Sequence, residues 1–291
     1  MSACPICESI KVVYAFRKGE VFYYRCENCL VLFVKMSLSD SAVHSHYAES
    51  YYESLGNKGC GRSGYPSYRA SYSTLTDGFQ RKLDFVQRYV KGGKLLDAGA
   101  AYGFFVKAAE PFFDGVGLDV SAYAAEIAKR DFNANVYVGD IEQTHFLHDA
   151  FDVVVMWDII EHIVRPVKAL KEVHRILRPG GYLFVSTDDA ANWLCRILGH
   201  RWWALAAPLH LCHFSKRGLE VACERAGLER PSFFADPRYY TISEIIKHFG
   251  VSYQNSLIDN IGNRLGRIFL GRMTLRIARP EQFIAVIRKR K

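Results

Sequence analysis

The sequence predicts an α/β fold in which a parallel β-sheet carries helices on both faces, preceded by a small cysteine-rich module. Between residues 94 and 287, short apolar runs alternate with segments of helical periodicity, and this alternation is typical of a parallel sheet. Three of the first runs end in an acidic residue. Two C-x2-C pairs, beginning at Cys4 and Cys26, precede them and indicate a metal-binding module.

The composition is that of an ordinary globular protein. The 291 residues are 49% hydrophobic and 23% charged, enough for a sizeable core in one large domain and a small one. No apolar run reaches the roughly 18 residues that a membrane helix needs, and no signal peptide is evident. Eight cysteines without an export signal predict a reducing, cytoplasmic location. The net charge of +8 permits nucleic acid, anionic lipid or acidic small molecules as partners and selects none of them.

Residues 1–36 are predicted to form a zinc ribbon. Cys4 and Cys7 would make one knuckle, Cys26 and Cys29 the other, and two knuckles present four thiolates to one tetrahedral ion. Two short strands, 11–16 and 21–24, would form a hairpin around Gly19. Because so small a piece cannot fold on its core alone, we expect the metal to be structural. Zinc is the first choice, and iron also suits four thiolates.

Residues 37–75 form a connector rich in Tyr, Gly and Ser. Two interpretations stay open: a strap that packs on the main domain, or a cover over a ligand. Helical periodicity then starts at Leu75 and continues to Val90, and Gly92-Gly93 ends it.

The main domain is predicted to span residues 76–291. The predicted strands are 94–97, 115–119, 135–140, 151–157, 182–186 and 283–287. Four helices are predicted between them. The first spans 103–113, and the second is capped by Ser121 and ends near Asp131. The third begins at Pro166 and is stopped by the Arg-Pro-Gly-Gly run at 178–181, and the fourth runs from Ser215 to Gly227.

Acidic residues follow four of these strands: Asp97, Asp119, Asp140 and Asp158. Ligands of parallel sheets bind at this edge, and several carboxylates there call for a ligand rich in hydrogen-bond donors, such as a nucleoside with an amino-acid tail. Gly99 and Gly103 let the backbone approach such a ligand closely. Asp119 ends the next strand, where an acid binds ribose hydroxyls in Rossmann-type sites.

Five segments resemble the consecutive motifs of class I S-adenosylmethionine (SAM)-dependent methyltransferases: 95–103, 117–119, 139–140, 151–162 and 177–181. The resemblance spans residues 76–235 and the closing strand 282–287. It implies a Rossmann-like sheet of seven strands, the last antiparallel, with SAM as cofactor. It further implies the following contacts: Asp97, Gly99, Ala100, Ala101 and Gly103 to the methionine moiety, Asp119 and Val120 to the ribose, Asp140 and Ile141 to the adenine, and Trp157 and Asp158 beside the cofactor. One departure is Ala101, which stands where the family usually has its middle glycine.

The fusion of a Cys4 module to this domain resembles the methyltransferases of sugar and glycan biosynthesis, as do segments 196–203 and 208–215. The acceptor that this resemblance implies is a sugar, glycan or related small molecule, with O- or C-methylation. An RNA methyltransferase is the second interpretation, which the absence of an Asn/Asp-Pro-Pro-aromatic run after the fourth strand disfavours. A non-catalytic SAM-binding or interaction protein is the third, and the intact acids disfavour it.

Methyl transfer to a hydroxyl requires a base that removes the acceptor proton. His162 is the first candidate, with Glu161 beside it to orient it or the acceptor. The alternatives are His210 and His213, in a stretch from Thr187 to Phe214 that has no clear element and is predicted to be a lid or binding loop. A metal at these histidines is disfavoured because no third ligand is evident.

Residues 238–280 read as an insertion before the last strand. An apolar helical stripe with arginines within 255–279 either covers the sheet or rests on anionic membrane as a peripheral contact. In the second case the acceptor would be lipid-linked. The sequence assigns no oligomeric state.

Overall fold

The computed structural model describes residues 3–35, 45–52, 72–202, 204–241, 261, 264 and 274–291. Its main element is a seven-stranded sheet. The strands are β4 (Gly93–Ala98), β5 (Phe113–Asp119), β6 (Val136–Val138), β7 (Phe151–Trp157), β8 (Leu177–Asp188), β10 (Ser232–Thr241) and β11 (Thr274–Arg288), in the order β10-β11-β8-β7-β4-β5-β6.

The pairing of these strands confirms the predicted sheet. β6, β5, β4, β7 and β8 are parallel neighbours, whereas β11 pairs antiparallel with β8 and with β10. β11 is therefore the antiparallel last strand that the resemblance implies. The strand interiors are buried on both faces, since Val153, Val154, Val155 and Met156 are all fully buried. A strand covered on both sides reads as a continuous apolar run.

Helices cover both faces of the sheet. They are α2 (Tyr72–Val86), α3 (Phe104–Ala109), α4 (Ala122–Phe132), α5 (Pro166–Ile176) and α7 (Lys216–Arg225), and two shorter helices are α1 (Glu49–Tyr52) and α6 (Trp193–Leu198). The predicted caps are present: the hydroxyl of Ser121 accepts a hydrogen bond from the Ala124 N–H, and that of Ser215 from the Gly218 N–H.

Several element boundaries differ from the sequence prediction. The helix predicted over 103–113 ends at Ala109, because Pro111 has no N–H with which to continue it. The helix predicted to stop at the run 178–181 does end before it, at Ile176, but the strand predicted at 182–186 already begins at Leu177, so the run lies inside β8. The stretch 187–214 contains the end of β8, helix α6, a 3-10 turn at Gly199–Arg201 and the short strand β9 (Cys212–His213).

One of the seven strands, β10, is absent from the six that the sequence predicts. Its register shifts between Ala235 and Pro237, and a proline demotes a strand pattern in sequence reasoning. The two ends of the predicted insertion, 238–241 and 274–280, lie in β10 and β11. The proposed apolar stripe and membrane segment lie outside the described residues except Ile261 and Arg264, both of which are helical and exposed.

The Cys4 module forms a second, four-stranded sheet with the main domain. Its strands β1 (Val12–Lys18), β2 (Val21–Cys26) and β3 (Leu32–Val34) form an antiparallel meander, and β9 of the main domain pairs with β3 as the fourth strand. Leu32 is opposite His213 in this pairing. The predicted hairpin around Gly19 is present, whereas β3 and β9 were not predicted, because three- and two-residue strands carry no periodic signal.

One hydrophobic cluster is continuous from the Cys4 module into the main sheet; its buried members include Ile6, Val31, Phe33, Leu96, Val154 and Leu219. The Ser215 hydroxyl donates to the Cys29 carbonyl oxygen at 2.5 Å, and the Arg225 guanidinium donates to that of Ile6 at 2.5 Å. The module is therefore packed on the main domain as part of its structure.

Among the described residues, no helix has both the length and the apolar character needed to cross a bilayer.

Candidate functional site

The turn after β4 brings backbone to the C-terminal edge of the sheet in left-handed conformations. φ is +80° at Gly99, +47° at Ala101 and +72° at Gly103. A Cβ at Gly99 would lie 2.3 Å from Cγ1 of Ile159, and one at Gly103 would lie 2.5 Å from the Cβ of Ala134. Both positions therefore require glycine. Ala101 adopts a conformation that costs an L-residue about 1–2 kcal/mol, a cost that glycine would avoid.

Asp119 holds this turn to the next helix. Its Oδ2 accepts a hydrogen bond from the Ala101 N–H at 2.8 Å, and its Oδ1 accepts one from the Ser121 N–H at 2.9 Å. The carboxylate is only 6% exposed. Sequence reasoning placed Asp119 at the strand end, and the structure adds that it fixes the strained residue Ala101.

Asp97 lies within the electrostatic influence of Asp119. Burial first, and the neighbouring Asp119 carboxylate second, raise the pKa of Asp97 to about 7, against the opposing effect of Lys82. Two buried acids so arranged are better accommodated beside a cationic or donor-rich ligand. This edge therefore fits the hydroxyl, ammonium and sulfonium groups that the resemblance implies.

The ends of β5 and β6 carry further residues that were predicted to contact the cofactor. The Gly139 N–H donates to the Asp119 carbonyl oxygen at 2.8 Å, which fixes the start of the β6 turn against β5. The Asp140 Oδ1 accepts from the Glu142 N–H at 2.8 Å, and Ile141 is buried. Val120 is half-buried. The structure thus places the ends of β4, β5 and β6 side by side.

Beside the end of β7 lies a residue of another element that sequence reasoning missed. The Nζ of Lys82, on α2, lies 4.6 Å from the Trp157 ring centroid, 3.7 Å from the Asp158 Oδ2 and 3.1 Å from the Ser186 Oγ. Ser186 also donates to the Asp158 Oδ1 at 3.0 Å. Lys82 stands one position before Leu83 of the apolar stripe, and helical spacing alone gives no sign that it lies at a site.

Glu161 and His162 follow β7 in a 3-10 turn, Ile160–His162. The Thr187 hydroxyl donates to the Glu161 Oε2 at 3.0 Å. Burial, together with the carboxylates of Asp158 and Asp188, raises the pKa of Glu161 to about 8. The carboxyl is therefore largely protonated near neutrality.

His162 contacts Tyr47 and His210. Its Nδ1 lies 2.7 Å from the Tyr47 hydroxyl, and its ring centroid lies 4.5 Å from that of His210. Burial, and secondly His210, hold the pKa of His162 well below its usual value. The imidazole is therefore neutral at pH 7.

His210 has a defined tautomer. Its Nδ1 lies 2.7 Å from the carbonyl oxygen of Ala204, and because a carbonyl can only accept, this nitrogen bears the proton. Nε2 then carries the lone pair. Burial lowers the pKa of His210 as well.

His213 is distinguished from the other two histidines by its burial. It is 1% exposed, its ring contacts those of His210, Trp202 and Tyr23, and neither ring nitrogen has a hydrogen-bond partner in the described part of the chain. Burial first, and secondly His210 and His162, hold its pKa well below its usual value. His213 thus supports His210 by ring contact.

The structure supplies the third ligand-type side chain that sequence reasoning did not find beside the histidines. Ligand atoms of Glu161, His162 and His210 all lie within 4.8 Å of one another. Hydrogen bonds to Thr187, Tyr47 and the Ala204 carbonyl account for this arrangement without an ion.

The described part of the connector, 45–52, packs as a strap on the main domain. The Ser121 hydroxyl donates to the Tyr47 carbonyl oxygen at 2.7 Å, and Tyr52 stacks on Tyr102 with ring centroids 5.3 Å apart. Tyr102 belongs to the turn after β4. This strap therefore joins that turn to His162 through Tyr47, a residue whose role sequence reasoning missed within a tyrosine-rich stretch.

The four cysteines of the module form a compact cluster whose sulfur atoms all lie within 4.8 Å of one another. The Sγ atoms of Cys4 and Cys29 are 3.6 Å apart, and those of Cys7 and Cys26 are 3.5 Å apart. A tetrahedral ion with Zn–S bonds of about 2.3 Å requires sulfur separations near 3.8 Å. The seven described cysteines are free thiols, so the set fits a four-thiolate metal site.

Comparison with known proteins agrees with this geometry. A family model described as a methyltransferase domain matches residues 74–230. The ubiquinone biosynthesis O-methyltransferase of Pectobacterium carotovorum subsp. carotovorum is 27% identical over 117 residues, which are 37% of this chain and 49% of that protein. The biotin biosynthesis bifunctional protein BioHC of Cellvibrio japonicus is 25% identical over 185 residues, 60% of this chain and 36% of that protein. The match thus spans about a third to a half of these relatives.

The fold also matches solved structures. A SAM-dependent methyltransferase from Archaeoglobus fulgidus superimposes with a TM-score of 0.52 at 15% sequence identity, covering 76% of this chain and 99% of that one. At this identity the match speaks for the fold alone.

Proposed function

We propose that this chain, which belongs to the methyltransferase domain family, transfers a methyl group from SAM to a sugar, glycan or related small molecule, by O- or C-methylation. The observation that carries the proposal is the meeting of two sites along one sheet edge. The left-handed turn with its two acids lies at the ends of β4 to β6, and a pair of neutral histidines lies beyond β7. We call the first the cofactor half and the second, with Tyr47, Glu161 and Thr187, the acceptor half.

The cofactor half would bind SAM as the motifs imply. Asp97, Gly99, Ala100, Ala101 and Gly103 would hold the methionine moiety, Asp119 and Val120 the ribose, Asp140 and Ile141 the adenine, and Trp157 and Asp158 would flank the cofactor. When bound, SAM supplies an electrophilic methyl carbon. Close approach at the glycine positions, and the buried Asp97, whose pKa burial and Asp119 raise, support this assignment.

The acceptor half would orient the acceptor and take its proton. His210 is the better base of the three histidines, because the Ala204 carbonyl fixes its Nδ1 proton and leaves Nε2 as the acceptor. His162, placed by Tyr47, would orient His210 or the acceptor. A protonated Glu161 would donate a hydrogen bond, and His213 would pack against His210.

The Cys4 module would hold a structural Zn²⁺ through Cys4, Cys7, Cys26 and Cys29. Four thiolates close the coordination shell and leave no position for substrate, so the ion would act through folding. Thiolates of this kind require a reducing compartment, which supports a cytoplasmic location.

The test uses SAM labelled in its methyl carbon, the purified full chain, and a panel of nucleotide-linked sugars, glycans, lipid-linked sugars and RNA. We expect label in a sugar-containing acceptor, and a loss of turnover of about 100-fold or more in His210→Asn. His200→Asn, at an exposed histidine in the same stretch, is the matched control and should retain full activity. Label that enters only RNA would overturn the acceptor class, and an unchanged His210→Asn would overturn the base.

A further inference from the structure

The segment that joins the two sides of the acceptor half exposes large apolar side chains. It leaves the sheet at the end of β8, forms α6, and returns to the site at His210. On α6, Trp193 is 60% exposed and Ile197 is 73% exposed. Residues four apart lie on the same face of a helix, so the two side chains form one apolar surface.

This helix is held in place by its opposite face. Cys195 is 4% exposed, its Sγ donates to the Asp189 carbonyl oxygen at 3.3 Å, and Leu198 packs in the cluster that contains Trp202. The Asn192 side chain caps the helix by accepting from the Leu194 N–H at 2.9 Å. Trp193 and Ile197 therefore project from an anchored helix, and their exposure is not the fraying of a chain end.

The charged residues of the segment around α6 have one sign, and the acids that act on Cys195 at its packed face, Asp188, Asp189 and Glu281, are buried. From Ala190 to Leu219 the sequence contains no aspartate or glutamate, whereas Arg196, Arg201, Lys216 and Arg217 fall within it. Arg196 and Arg201 are exposed beside the two apolar side chains.

We propose that α6, through Trp193 and Ile197 with Arg196 and Arg201, is a docking surface for an anionic lipid bilayer. A short helix that combines an aromatic and an aliphatic side chain with arginines suits the membrane interface, where the apolar groups enter the headgroup–acyl boundary and the cations meet lipid phosphates. None of these four residues belongs to the stretch 255–279, and the proposal does not depend on the proposed reaction.

Two other partners fit the surface less well. A second copy of the chain joined by a two-fold axis would bring the same arginines together, and like charges oppose such an interface. A single-stranded nucleic acid would stack bases on Trp193, but Ile197, the more exposed of the pair, has no aromatic face to offer.

The test is co-sedimentation of the full, metal-loaded chain with vesicles of phosphatidylcholine alone and of phosphatidylcholine mixed with phosphatidylglycerol. We expect pelleting with the anionic vesicles only, weakened by salt, and a blue shift of tryptophan fluorescence that Trp193→Phe removes. Trp193→Ala with Ile197→Ala should weaken partitioning at least about tenfold. Arg196→Gln with Arg201→Gln should remove the preference for anionic lipid.

The matched control is Ile10→Ala with Phe22→Ala, which removes exposed apolar side chains of the Cys4 module, 76% and 47% exposed, and should leave binding unchanged. Thermal unfolding of each variant establishes that it is folded. No pelleting of the folded wild type, or equal pelleting of the α6 double variant, would overturn the proposal. So would self-association or RNA retention that requires Trp193 in the absence of vesicle binding.

Discussion

The cofactor half and the acceptor half share one sheet edge but are built in different ways. The cofactor half is made by segments that follow one another along the chain and the sheet edge: the turn from Asp97 to Gly103, then Asp119 at the end of the next strand, which bonds back to Ala101. The acceptor half collects Tyr47, His162, Thr187 and His210 from four separate stretches of the chain.

The support of the two halves differs as well. Strand and helix termini of the main sheet hold the cofactor half. The part of the chain that returns to the site at His210 is instead held by the Cys4 module. β3 pairs with β9, and the Val34 N–H donates to the Leu211 carbonyl oxygen at 3.1 Å. Lys18 Nζ donates to the carbonyl oxygens of Trp202 and Leu205. The difference teaches that the metal module holds the part of the chain that carries the proposed base, whereas the cofactor turn is held by the main sheet and meets the acceptor half through the strap 45–52.

The largest expected effect follows from breaking the metal site. Cys29→Ser should release the ion and cost more than about 4 kcal/mol of stability, because the thiolate is lost from a shared core. In hydrogen exchange, the Val34 amide should lose protection first, while the Gly117 amide, bonded to the Asn135 carbonyl in the cofactor half, should keep more of it.

Cys223→Ala, at a buried cysteine of α7 outside the cluster, is the control and should retain the metal. If both amides lost protection together, the two halves would form one cooperative unit and the comparison would fail.

The next effect concerns the cofactor half alone. Asp119→Asn should weaken SAM binding about 10- to 100-fold, because a neutral amide accepts more weakly from the ribose hydroxyls. Isothermal titration calorimetry measures the change. The same substitution also touches the bonds to Ala101 and Ser121, so thermal unfolding accompanies the titration. Asp114→Asn, at an exposed position of β5, is the matched control; an unchanged affinity for SAM in Asp119→Asn would refute the ribose assignment.

The sequence could predict the cofactor half in advance because its signals are local. A buried run, a glycine turn and an acid at the end of the next strand lie within about 25 residues, and each is fixed by backbone geometry. Other residues of the site offered no such signal. Lys82, Tyr47 and Thr187 lie at the site only through the neighbours that tertiary packing brings to them, and the strands β3 and β9 are too short to show periodicity.

The acceptor half should show a characteristic pH dependence. The pKa of Glu161, ordinarily 4.5, is raised to about 8 in the folded chain, so the folded state holds a proton that the unfolded state releases. The contribution of Glu161 to stability therefore falls as pH rises from 4.5 to 8. Glu161→Gln should remove this slope and raise the melting temperature of the ligand-free protein at pH 8 relative to wild type, with little difference at pH 4.5. Parallel melting curves of the two proteins across this range would contradict the protonated carboxyl.

The smallest effect concerns the strap. Tyr47→Phe removes the hydroxyl that lies 2.7 Å from the His162 Nδ1 and should cost about 1 kcal/mol of stability. The imidazole nitrogen resonance of His162 should shift, while that of His145, on the exposed surface, stays constant. Tyr14→Phe, at a tyrosine that is 58% exposed, should change neither. An unaltered His162 resonance would show that the strap does not position this histidine.

The most direct test of the central claim is calorimetric titration of the purified protein with SAM and with S-adenosylhomocysteine, with the zinc content measured on the same sample. The account predicts micromolar binding of both at one site per chain, with one zinc per chain. A folded, zinc-loaded protein that binds neither ligand would contradict it.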